Sequence, residues 1–184
     1  MNYFRRLELS IDVPEFDMSA CRLAQIADVP NRDRYKYTLW EKESAPPTPL
    51  HVFEVPNPYA DQLRSQLTQA VLDREVPGVF YMRMEKPHPN STVPPHVDIG
   101  RRTAINVYID CSEEITEFFS ADEQTQTLIS KGSFKAKEGE AWLLNVSKPH
   151  AVRMSEAHLR SCISFSFRRL KFDELDRLLL KNGE

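Results

Sequence analysis

Pro94–Pro95–His96–Val97–Asp98 places a histidine and a carboxylate two residues apart. In an extended chain alternate side chains share a face. The His96 imidazole and the Asp98 carboxylate then project together and can bind one metal ion from one side. This implies a β framework and a third ligand from elsewhere. His150, in Lys148–Pro149–His150–Ala151–Val152, is the candidate: it lies in a separate extended segment, flanked by apolar residues. Each motif alone has a plainer reading. H-x-D is common in polar loops, and an isolated histidine among apolar residues is more often a hydrogen-bonded core residue. The two together point to a metal centre.

Around this stretch, from Val79 onward, the pattern is extended. Eight short strands are predicted: Phe80–Lys86, Pro95–Asp98, Thr103–Asp110, Ile115–Ser120, Thr125–Ser130, Glu140–Val146, His150–Met154 and Leu159–Phe167. Turn material separates most of them, such as Lys131–Gly132–Ser133 and Lys137–Glu138–Gly139, and Ser133–Ala136 is a further short strand candidate. Many short strands at this spacing predict a sandwich or barrel, and eight is the jelly-roll number.

Upstream, Tyr59 to about Glu75 reads as a helix, with Leu63, Leu67, Val71 and Leu72 in an apolar stripe. Asn57 is placed to cap it, with Pro58 at its first position. Met18–Ala27 reads as a short helix, and Phe4, Leu7, Leu9 and Ile11 as a strand or lead-in. Phe172–Lys181 has helical spacing, with Asn182–Gly183 as its stop. The expected organisation is one domain over residues 1–184: a helical and irregular flank over 1–78, a β core over 79–168 and a C-terminal helix over 169–184.

The bulk numbers bound the function. The chain has 184 residues, a net charge of −3 and 28% charged residues of both signs, which gives no support to nucleic-acid binding. No apolar run approaches the roughly 20 residues that span a bilayer, and the N-terminus lacks the apolar segment of a signal peptide. Cys21, Cys111 and Cys162 are widely spaced and odd in number, as expected of reduced thiols in a cytoplasmic protein.

Arg160 lies 160 − 150 = 10 residues beyond His150 and opens Ser161–Cys162–Ile163–Ser164–Phe165–Ser166–Phe167. Cys162 and Ser164 alternate with Ile163, Phe165 and Phe167, as in a strand with one apolar face, and Arg160 shares parity with the polar set. Its plain reading is a solvated edge arginine. Its functional reading is a guanidinium fork for a carboxylate, a task arginine does better than lysine. Arg101, Arg102 and Asn106 follow the H-x-D; one of the two arginines is a candidate to hold a carboxylate in the pocket. Asn106, in an otherwise apolar strand, is a candidate either for structural hydrogen bonding or for ligand contact.

His96-x-Asp98, His150 and Arg160 together resemble the 2-oxoglutarate-dependent Fe(II) oxygenases, and most of all the aspartyl/asparaginyl β-hydroxylase-like group. The resemblance covers roughly Phe80 to Phe167, and the lead-in Gly139–Glu140–Ala141–Trp142–Leu143–Leu144–Asn145 strengthens it. It implies a double-stranded β-helix, a cupin-like jelly roll, with the metal at its mouth. It implies Fe(II) held by His96, Asp98 and His150, 2-oxoglutarate as co-substrate with its distal carboxylate on Arg160, and O2. It also implies hydroxylation of a C–H bond, on an aspartyl or asparaginyl side chain of a peptide or on a small molecule. Some aspartyl hydroxylases have glycine in place of the carboxylate ligand; Asp98 departs from them. The competing classes are a cupin-like binding or sensing protein without turnover, and a metal-dependent hydrolase or isomerase on the same barrel. Neither needs a guanidinium for a C5 diacid.

Overall fold

The alternation at the end of the chain sets the architecture. In β11 (Leu159–Phe167) Ile163, Phe165 and Phe167 are fully buried on one face, and Cys162, Ser164 and Ser166 are buried on the other. A strand covered on both faces must lie between two layers. The computed structural model, which describes residues 3–15, 21–27, 50–85, 92–98, 100–111, 113–122, 125, 127–153 and 159–180, supplies both.

Among the described residues the elements run β1 (Phe4–Leu7), β2 (Arg22–Ala27), β3 (Leu50–Glu54), α1 (Asn57–Arg64), α2 (Gln69–Leu72), β4 (Gly78–Glu85), β5 (Thr92–His96) and β6 (Thr103–Asp110). They continue with β7 (Ile115–Ala121), β8 (Leu128–Phe134), β9 (Ala141–Leu144), β10 (His150–Arg153), β11 and α3 (Phe172–Leu180). One sheet has the order β1-β9-β6-β11-β4-β3-β2 and the other β5-β10-β7-β8, with every pairing antiparallel. Strands β4 to β11 are distributed between the two sheets as in a double-stranded β-helix, the mainly β jelly roll expected. No helix among the described residues is long and apolar enough to cross a membrane.

The flank before residue 78 contributes more than was expected of it. β1 pairs with β9 at one edge of the larger sheet, and β3 and β2 extend the other edge beyond β4. Arg22–Ala27 is therefore a strand, not the end of a helix: its backbone finds partners on β3. Met18 to Ala20 lie outside the described residues, as do Lys86, Met154 and Lys181. The helix expected over 59–75 is two helices. The first ends at Ser65, and Thr68, extended at ψ 147°, starts the second. Asn57 makes no side-chain cap; Pro56 takes the cap position and Asn57 the first turn.

Two apolar clusters follow from the two faces. Ile105, Val107, Leu143, Ile163, Phe165 and Phe167 pack with Leu63, Val71 and Leu175 of the helices outside the larger sheet. Inside the barrel, Ala104, Tyr108, Phe118, Phe134, Leu144 and Cys162 pack with Phe4 and Trp142. Each fully buried large side chain is worth roughly 1.5–3 kcal/mol. On the outer side Glu75, just past α2, accepts backbone N–H bonds from Arg168 at 2.7 Å, Arg169 at 3.0 Å and Leu170 at 2.8 Å. That carboxylate ties the β11–α3 connection to the α2 end.

Lys131–Gly132–Ser133, expected as a turn, lies within β8. Gly132, at φ 136°, pairs with Phe118 and adjoins a bulge on β8, where the register shifts and Lys131 is the extra residue. A Cβ there would meet the Phe4 ring at 3.2 Å. Gly132→Ala should therefore cost about 1–3 kcal/mol, from the positive φ and the contact together. A denaturant midpoint equal to that of the wild type would contradict this.

Candidate metal centre

His96 ends β5 and His150 begins β10, and the two are cross-strand partners. Their rings lie 4.3 Å apart between centroids. The ladder, rather than any local motif, brings together two histidines 150 − 96 = 54 residues apart. Asp98 lies two residues past the end of β5, not inside it as expected. Its backbone N–H donates to the Val146 carbonyl at 3.0 Å, and its Oδ1 lies 3.3 Å from His96 Nε2 and 3.9 Å from His150 Nε2. One ligand atom from each residue falls within 4.8 Å of the others. Donors about 2.1 Å from a common ion stand roughly 3.0 Å apart at right angles and roughly 3.4 Å apart at tetrahedral angles. The cluster could close on a metal with small side-chain adjustments.

The protonation pattern suits ligation. His150 Nδ1–H donates to the Lys148 carbonyl at 2.9 Å, which leaves the Nε2 lone pair facing Asp98 and His96. Burial, together with the neighbouring His96, pushes the His150 imidazole down to about 4, so it is neutral near pH 7. Burial opposes the charge on Asp98. The Arg101 guanidinium and the bond to His96 outweigh it and hold that carboxyl well below the usual carboxylate range. Phe118, fully buried, stacks on the His150 ring at 5.3 Å. A neutral imidazole, a second histidine and an ionised carboxylate on one side of a cavity form the two-histidine, one-carboxylate set that leaves other positions open.

The same cavity is lined by Arg160, on β11, only 9% exposed. Its Nη2 donates to the Tyr108 hydroxyl at 3.0 Å and to Thr116 Oγ1 at 3.1 Å, while Nη1 faces the Met84 sulfur at 3.6 Å. Its hydrogen-bond partners among the described residues are thus neutral; Glu114 adds a more distant attraction. The solvated edge reading is excluded by this burial. Asn106 lines the cavity too, with its Oδ1 buried and without a hydrogen-bond partner among the described residues. Of the two arginines after the H-x-D, Arg101 turns inward and binds Asp98 and Ser164. Arg102 is exposed, because its backbone N–H and carbonyl tie Phe167 and Ser147 and leave the side chain outside. Of the two candidates, the cavity lining includes Arg101 and not Arg102.

Tyr108 and Thr116 were not singled out by sequence reasoning. Tyr108 follows Asn106 by two residues on β6, so strand parity alone places it on the inner face. Nothing in the sequence marks Thr116. His51 lies on β3, edge-on to Phe53 at 6.3 Å; His88 and His158 are outside the described residues.

A jelly roll with a candidate metal centre and a buried guanidinium in one cavity is the class that fold and site define. No family model matches the chain, and no curated protein sequence does. Among solved structures it is distantly similar to 2-oxoglutarate/Fe(II) oxygenases and to cupins. A prolyl-4-hydroxylase from Pseudomonas putida is 14% identical, with a TM-score of 0.44 over 71% of this chain and 81% of that one. A ribosomal oxygenase from Escherichia coli, in complex with cobalt and succinic acid, is 14% identical, with a TM-score of 0.42 over 77% of this chain and 39% of that one. A vicilin from hazelnut, Corylus avellana, is 16% identical, with a TM-score of 0.42 over 65% of this chain and 30% of that one. The chain thus spans less than half the length of the latter two.

Proposed function

We propose that the chain is an Fe(II)- and 2-oxoglutarate-dependent dioxygenase that hydroxylates a C–H bond of a small molecule or of an aspartyl or asparaginyl side chain. The observation that carries this reading is the presence, in one cavity, of the His96–Asp98–His150 cluster and of Arg160, a buried cation hydrogen-bonded to neutral groups. A dicarboxylate satisfies both features: its keto-acid end has the donors for a metal, and its far carboxylate suits the guanidinium. Thr116 lines the cavity beside Arg160, and Tyr108 holds the guanidinium from behind. The buried Asn106 amide offers a further polar contact to a ligand in the cavity.

In this reading His96, Asp98 and His150 would hold the iron, which with 2-oxoglutarate and O2 would supply the oxidation: one oxygen atom ends in succinate, with loss of CO2, and the other in the hydroxylated product. The chain's own part is binding and exclusion. Phe118 and the apolar interior beneath the cluster keep water from its buried side. In this reading residues 1–184 act as one cytoplasmic oxygenase domain. A cupin-like binder, or a hydrolase or isomerase on the same barrel, leaves Arg160 without a task.

The test is an anaerobic Fe(II) titration with and without 2-oxoglutarate. A metal-to-ligand charge-transfer band in the visible range should appear only when both are present. Fe(II) binding that 2-oxoglutarate neither tightens nor colours would reject the oxygenase reading and leave a metal-binding jelly roll.

A further inference from the structure

Of the three clustered residues, Asp98 alone is held by no strand ladder. β5 ends at His96, and His150 is locked opposite it by β10. The Asp98 side chain is instead oriented by Arg101, whose Nε donates to Asp98 Oδ2 at 2.6 Å and whose Nη1 donates to Ser164 Oγ at 3.0 Å. Ser164 is fully buried on β11, in the middle of the larger sheet. The guanidinium is therefore a strut between a fixed strand and the carboxylate. It engages Oδ2, while Oδ1 faces both histidine Nε2 atoms at 3.3 Å and 3.9 Å.

We propose that Arg101 is a positioning residue that commits Asp98 to ligation through Oδ1 alone, keeping a further coordination position open for exchangeable ligands. The proposal rests on the metal-centre reading above. It gives Arg101 a different task from the one its sequence position suggested: it holds the protein's own carboxylate, not a ligand's. The chemistry is general. Ligating carboxylates need a hydrogen-bond partner on their other oxygen, and losing such a partner weakens metal binding by about ten- to a hundredfold. A free Oδ2 can swing onto the same ion and fill a position that a chelating co-substrate needs.

Affinity alone is an ambiguous readout, because removing Arg101 also removes a positive charge near the ion. Two variants separate position from charge. Arg101→Met removes the strut, and Ser164→Ala cuts its far tether with the charge intact. The probe is Co(II) alone, followed by infrared difference spectra of protein labelled with [13C]aspartate. A one-oxygen carboxylate ligand has a wider separation between its antisymmetric and symmetric stretches than a two-oxygen ligand. The wild type should give the wide separation and Arg101→Met the narrow one, with Arg101→Lys restoring the wide form in part. Ser164→Ala should bind Co(II) about tenfold more weakly. A wide separation in Arg101→Met, or wild-type Co(II) affinity in Ser164→Ala, would overturn the proposal. If Arg101→Met does not fold, Ser164→Ala, which lacks only a hydroxyl, decides alone. A wild type that binds no Co(II) would strike the metal-centre reading itself and not the strut.

Discussion

Arg160→Met should all but remove 2-oxoglutarate binding and leave the unliganded protein at least as stable as the wild type. On the proposed reading the two effects have opposite signs, because the guanidinium then serves the ligand and not the fold. In the wild type it is 9% exposed and bonded to Tyr108, Thr116 and the Met84 sulfur. The hydrogen-bond partners of this buried cation are neutral, and no carboxylate among the described residues lies at bonding distance, Glu114 adding only a more distant attraction. A dicarboxylate supplies that missing charge. Truncating one partner of such a buried pair costs about 2–5 kcal/mol, a loss of roughly thirty- to several-thousandfold in affinity. Methionine keeps the length and apolar stem, so packing against Met84 and Tyr108 survives. The measurements are the 2-oxoglutarate dissociation constant at saturating Fe(II) under argon, and the thermal midpoint without ligands. Fe(II) affinity should stay near that of the wild type, since Arg160 touches none of the three clustered residues. Wild-type 2-oxoglutarate affinity in this variant would place the anchor elsewhere. A large fall in the unliganded midpoint would mean that Arg160 is a structural residue.

The second large effect is far from the cavity. Glu75→Ala should destabilise the protein by about 3–5 kcal/mol, because three successive backbone N–H groups, of Arg168, Arg169 and Leu170, lose their common acceptor. Two of them flank the point where the chain turns from β11 into α3, and Leu170 is buried there. Glu75→Gln keeps one acceptor oxygen and should lose less, about 1–2 kcal/mol. Guanidinium chloride unfolding of the three proteins checks both the size and the order. An Ala variant within 1 kcal/mol of the wild type would mean that water replaces the carboxylate at no cost.

Most barrel strands were legible because they are short and bounded by turn residues; Thr103–Asp110 and Leu159–Phe167 agree to the residue, whereas β8, expected at Thr125–Ser130, runs Leu128–Phe134. Gly132 misled because glycine signals a turn and a bulge alike, and only the pairing of Gly132 and Ser130 with β7 distinguishes them. The 59–75 helix was read as continuous because the break at Thr68 leaves Leu63, Leu67 and Val71 buried on the same side. β3 was missed because its five residues are half-buried on both faces and give no clean alternation. The H-x-D spacing correctly placed His96 and Asp98 together, but for an incomplete reason. The strand stops at His96, and a backbone bond to Val146 and the Arg101 strut complete the alignment. Tyr108 was legible by parity with Asn106. Thr116 was not, since it reaches Arg160 from the opposite sheet.

The pairing of β5 with β10 also sets an order of events during synthesis. His96 and Asp98 leave the ribosome well before His150, and β5 has no neighbour in its sheet other than β10 among the described residues. Until those 54 further residues have emerged, the growing chain carries two of the three clustered residues on a segment with two prolines and nothing to pair with. It cannot capture an ion in the finished arrangement. On the proposed metal reading, selection of the ion is thereby deferred until the segment that supplies the third donor has been made.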